Sequence, residues 1–105
     1  GSAEYQTPNL DRMAREGVVV VAVSLPREGR PVREPAVHSV GVGVGPHSEE
    51  LDLEAAQETR RILEQYRTKR LSREDLEEDL RTAVRRVYRR ALDKRPTVLP
   101  VVLED

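Results

Sequence analysis

The longest apolar run in the chain covers residues 17–25, Gly17-Val18-Val19-Val20-Val21-Ala22-Val23-Ser24-Leu25. Its β-branched side chains are stiff at χ1 and favour extended backbone, which predicts a strand. Val19, Val21, Val23 and Leu25 fall on one face, Val18, Val20 and Ala22 on the other. A strand that is apolar on both faces expects cover on both sides of its sheet. Upstream, Asn9 or Asp11 is placed to cap a short helical turn through Arg15, and Gly17 releases the chain into the strand. Downstream, Pro26, Gly29 and Pro31 predict a reversal into a hairpin. The partner strand is expected over 36–44, with Ala36, His38, Val40, Val42 and Val44 on one face and Val37, Ser39, Gly41 and Gly43 on the other. Glycines on a strand face mark a bend or the close approach of another backbone.

The period then changes from two to that of a helix. Ser48 is a candidate N-cap, followed by the acids Glu49 and Glu50, and Leu53, Ala56, Ile62, Leu63 and Tyr66 make an apolar stripe running to about residue 70. Ser72 with Asp75 resembles a capping box and opens a second helix. Its stripe is Leu76, Leu80, Ala83, Val84, Val87, Ala91 and Leu92, and Pro96 ends it. The short connection makes the two helices antiparallel neighbours. Residues 98–103 predict a third strand, with Pro100 at an edge or a bulge. The expected fold is a two-layer α/β sandwich of order ββααβ, a three-stranded mixed sheet covered on one face by two antiparallel helices. The third strand runs parallel to the first. The all-valine first strand is the better candidate for the centre, giving order 3-1-2.

Two helices cover one face only, so the other face presents apolar side chains, the usual mark of an interface. The candidate interface residues are Val18, Val20, Val40, Val42, Val101 and Leu103.

Composition narrows the chemistry. The chain has 105 residues, no cysteine and a net charge of −1. That excludes disulfides and thiolate metal sites, and the chain as a whole is no polyanion binder. The lack of cysteine fits a cytoplasmic setting. No apolar run approaches the roughly 20 residues of a membrane span, and no signal-peptide pattern is seen. The leading Gly1-Ser2 reads as a cloning remnant and residues 1–10 as a linker. Arg81, Arg85 and Arg89 fall one turn apart and are candidates for RNA phosphate contact. Against this, both helices begin acidic and end basic, which complements their dipoles and suits a solvated ion-pair face. The Gly41-Val42-Gly43-Val44-Gly45 segment lacks a following Gly-Lys-Ser/Thr, and Glu49 and Glu50 would repel an anion there. His38 and His47 match no metal spacing, and no Ser/His/Asp grouping is arguable.

Three segments resemble the C-terminal domain of ribonuclease J, a nuclease of the metallo-β-lactamase/β-CASP family. Arg12-Met13-Ala14-Arg15-Glu16-Gly17 leads into the valine strand as the family's basic-x-Ala-x-x-Gly segment does. Pro35-Ala36-Val37-His38-Ser39-Val40-Gly41 is similar to its Pro-x-apolar-x-Ser-Arg-Gly segment, with Val40 in place of the arginine. Lys94-Arg95-Pro96-Thr97-Val98-Leu99-Pro100-Val101 is similar to its Arg-Arg-Pro-x-apolar-Leu-Pro-Val ending. The resemblance spans residues 11–105. It implies a parent enzyme that degrades RNA by metal-assisted hydrolysis, as endonuclease and 5′-to-3′ exonuclease, with zinc or another divalent metal. The family's His-x-His-x-Asp ligands lie in another domain and none is present here. The implied role is therefore non-catalytic: assembly, through self-association or contact with the parent's catalytic domains, with RNA met through the parent. The alternative is an RNA-binding module using Arg81, Arg85 and Arg89.

Overall fold

A computed structural model describes residues 10–43, 45–69 and 72–104. The expected lead-in over 1–9, including Asn9, and the expected strand residue Val44 lie outside them. The order is α1 (Leu10–Glu16), β1 (Val18–Ser24), β2 (Ala36–Val40), α2 (Gly45–Lys69), α3 (Arg73–Leu92) and β3 (Thr97–Leu103). The sheet order is β2-β1-β3, with β2 antiparallel and β3 parallel to the central β1. This is the expected two-layer α/β sandwich with the valine strand in the middle.

Each boundary has a local cause. Gly17 adopts φ +88 and its N–H donates to Met13 O at 2.9 Å, closing α1. Its carbonyl then accepts from Thr97 N at 3.0 Å, which starts the β1–β3 ladder. Ser72 accepts from Asp75 N at 3.1 Å and opens α3. At the other end Asp93, in the left-handed region at φ 53, bonds back to Arg89 O. Helix α3 therefore ends at Leu92, before Pro96 is reached.

The core lies between the sheet's inner face and the helices. Val19, Val21 and Val23 of β1 and Val98 and Val102 of β3 meet Leu51, Ala55, Ile62 and Leu63 of α2 and Leu76, Leu80, Val84 and Tyr88 of α3. Two stripe assignments change. Leu53 is 63% exposed, because the inner face of α2 is set by Leu51, Ala55, Thr59 and Ile62, and two residues along a helix turn about 200° away from that face. Ala91 is exposed, and Tyr88 takes the inner position that the apolar pattern passed over. Thr59 is buried without cost in unmet polarity, since its hydroxyl donates to Ala55 O at 2.8 Å.

β2 is shorter than expected. It ends at Val40, and Gly41 at φ +73 turns the chain out of the ladder. Val42 consequently leaves the face it would share with Val40 and enters the core, 3% exposed. Ser48 does not cap α2, which already begins at Gly45; its hydroxyl meets that of Ser39 at 3.2 Å instead.

Candidate functional site

Two surfaces among the described residues offer chemistry to a partner. The first is the outer face of the sheet. The register stacks Val40, Val18 and Thr97 in one row, His38, Val20 and Leu99 in the next, then Ala36, Ala22 and Val101, and finally Ser24 with Leu103. Val20, Val40, Val101 and Leu103 are 36, 61, 43 and 54% exposed. Five of the six candidate interface residues thus share one face: Val18, Val20, Val40, Val101 and Leu103. Val42 does not belong with them. It is removed from the set because the left-handed turn at Gly41 carries it into the core.

The edges of the sheet are occupied differently from its face. Along β3, Thr97 N–H and Leu103 C=O point to the β1 side, so the even-numbered backbone groups point outward. Two of those outward carbonyls accept from α3 arginines: Pro96 O from Arg85 Nε at 3.2 Å and Val102 O from Arg73 Nη2 at 2.9 Å. Pro100, also outward, has no N–H to offer, which is why a proline is tolerated in this strand. On the other edge, Ser39 N–H donates to Asp52 Oδ2 at 3.3 Å. Both edges are therefore blunted against an added strand.

Asp52 is the hub of a polar cluster that pattern reading missed. Its Oδ1 accepts from Ser39 Oγ at 2.6 Å and from Tyr88 Oη at 2.8 Å, joining β2, α2 and α3. Burial first, and then the hydrogen bond to Asp52 and that residue's charge, hold the Tyr88 phenol well above its ordinary value. The only sequence signals were a tyrosine at helical spacing from Val84 and a serine on the inner face of β2.

The second surface is basic. Among the described residues, Arg12 of α1, Thr82, Arg85, Arg86 and Arg89 of α3, and Arg95 of the α3–β3 turn line a cavity of about 380 Å³. An adjoining cavity of about 480 Å³ shares Arg12 and Arg95 and adds Arg15 and Glu16. The Arg12 side chain donates to Arg95 O at 3.1 and 3.2 Å, tying α1 to the turn. The three arginines singled out in the sequence are divided: Arg85 and Arg89 line this groove, while Arg81 pairs with Glu78 at 3.2 Å. The expected ion-pair face runs mainly along single helices, as in Arg67–Glu64 at 2.9 Å and the contact of Arg61 with Glu58. Among the described residues no group of His, Asp and Glu is placed to hold a metal ion, and no helix is long and apolar enough to cross a membrane.

The fold and these surfaces define a two-layer α/β domain with one helix-covered face and one open face. The sequence profile of the ribonuclease J C-terminal domain matches residues 11–105, and the chain belongs to that family. A search among curated proteins finds no match. The three segments that carry the resemblance converge at one end of the sheet. Gly17 of the first lies against Gly41 of the second: a Cβ built on Gly17 would stand 2.8 Å from the Gly41 carbonyl carbon and oxygen. The third supplies Thr97, bonded to Gly17 O, and Arg95, bonded to Arg12.

Proposed function

We propose that this chain is a non-catalytic assembly domain of a ribonuclease J-like RNA-degrading enzyme, acting from residues 11–105 through the outer face of its sheet. The observation that carries the reading is the open row of Val18, Val20, Val40, Val101 and Leu103 on a sheet whose two edges are already engaged by side chains. A partner meets this sheet face-on, by apolar burial. A second copy of the chain is the partner tested first; the catalytic domains of the parent chain are the other. Catalysis, with zinc or another divalent metal, belongs to those domains, and the setting is the cytoplasm. The isolated chain is accordingly expected to leave 5′-monophosphorylated RNA intact with added Zn²⁺ or Mn²⁺, as read on a denaturing gel.

Sedimentation equilibrium across a concentration series tests the assembly reading. The chain is expected to move from monomer to oligomer at micromolar concentrations. Val20→Glu with Val101→Glu is expected to weaken association at least about 100-fold, since each buried valine contributes about 1.5 kcal/mol or more and each glutamate adds a desolvation cost. A wild-type chain that stays strictly monomeric at high micromolar concentration rules out self-association.

A further inference from the structure

The net charge of −1 conceals a strong local asymmetry. Five guanidinium groups, from Arg12, Arg85, Arg86, Arg89 and Arg95, surround one concavity together with the Thr82 hydroxyl. The spacing of Thr82, Arg85, Arg86 and Arg89 puts all four on one side of α3. Arg12 and Arg95 are brought opposite by the α1–turn hydrogen bonds, across 83 residues of sequence. Of the nearby acids, Glu78 pairs with Arg81 and acts on Arg85, Glu58 pairs with Arg61 and also feels the charge of Arg86, and Glu16 lines only the adjoining cavity. Burial first, and then the charges of Arg12 and Arg81, lower the proton affinity of Arg85, with Glu78 opposing.

We infer that this groove between α1, α3 and the α3–β3 turn is a binding site for the phosphate groups of single-stranded RNA. Guanidinium forks match phosphate oxygens two at a time, and a hydroxyl such as that of Thr82 adds a further donor. The arginines extend over two adjoining cavities, which suits a strand of successive phosphates better than one isolated anion. Among the described residues the walls present no aromatic or aliphatic anchor of the kind a protein partner fills. The family name supplies RNA as the polyanion at hand. Tyr88 is buried in the core and no aromatic ring is among the described residues that line the groove, so contact is expected to run through phosphates and to show little sequence preference. The site is independent of the sheet-face reading: anisotropy reads one and sedimentation the other.

The test is fluorescence anisotropy of the 105-residue chain with a labelled 12-nucleotide uridine RNA. If about four phosphates are neutralised, affinity falls about 50-fold between 50 and 200 mM salt. Arg89→Glu with Arg95→Glu is expected to weaken binding at least tenfold, and Arg81→Glu less than twofold. The Arg89→Gln, Arg95→Gln pair gives an intermediate loss, and thermal unfolding confirms that each variant folds. Absence of binding at 50 mM salt overturns the inference, as does an equal loss in Arg81→Glu, which reports a general field. Tighter binding of a poly-glutamate peptide transfers the groove to an acidic protein partner. Displacement of the RNA by inorganic phosphate at equal phosphate concentration reassigns it to free phosphate.

Discussion

Replacing Gly17 with alanine is expected to lower stability by about 2–5 kcal/mol, a large share of the roughly 5–15 kcal/mol that holds a small domain folded. Two separate effects add. The residue has φ +88, where an L side chain costs about 1–2 kcal/mol. Its new Cβ would also stand 2.5 Å from Val42 Cγ2 and 2.8 Å from the Gly41 carbonyl, and two backbones held in register cannot simply part. Overpacking of that kind costs about 1–3 kcal/mol more. Gly29 separates the two terms. It has φ +79, but a Cβ added there would meet nothing within 4 Å, so Gly29→Ala should cost only about 1 kcal/mol. Urea unfolding of both variants measures the difference. Equal losses would mean that the Gly17–Gly41 contact is unimportant and that only backbone strain counts.

That contact explains why three segments far apart in the chain carry the family resemblance. Gly17 ends α1, starts β1, receives Thr97 at the head of β3 and admits Gly41 at the end of β2. The sequence pattern around it is a record of one junction. The same junction holds Arg12 and Arg95 together and so forms the floor of the basic groove. In the second segment, Val40 faces outward beside Val18, so it extends the apolar face and lies apart from the groove.

How much of this could be read beforehand follows from the range of each interaction. The central valine strand, the hairpin, the helical pair and the parallel return depend on local period and connection length, and the open sheet face follows by counting layers. The end of β2 was hidden because Val40, Val42 and Val44 continue the alternation past the point where Gly41 adopts a left-handed φ. Leu53 misled because hydrophobicity alone cannot say which of two helix faces is turned inward when Thr59 completes the buried one. The groove and the Asp52 cluster were out of reach for a different reason. Arg12 meets Arg95, and Asp52 meets Tyr88 across 36 residues, only through the tertiary fold.

The Asp52 cluster yields the other large effect. Asp52→Ala leaves Tyr88 Oη, Ser39 Oγ and Ser39 N–H without their acceptor. Hydrogen bonds to a charged group contribute about 1.5–3 kcal/mol, and a buried donor left unmet costs about 1–3 kcal/mol. The expected loss is about 3 kcal/mol, a fall in Tm of about 12–20 °C for a domain of this size. Asp52→Asn, which keeps one carbonyl acceptor, should lose about half as much. A second signature comes from pH. The folded Tyr88 phenol is held above its ordinary value, while in the unfolded chain it ionises near pH 10. Its contribution is therefore complete below about pH 10 and is lost as pH rises further, at about 1.4 kcal/mol per unit. Tyr88→Phe should be less stable than the wild type by about 1–2 kcal/mol at pH 8, and the gap should close between about pH 10 and 11. Urea midpoints for the two proteins across that range measure it. A gap that stays constant to about pH 11 would show that the phenol ionises as readily in the folded chain as in the unfolded one, and that Asp52 does not hold its proton.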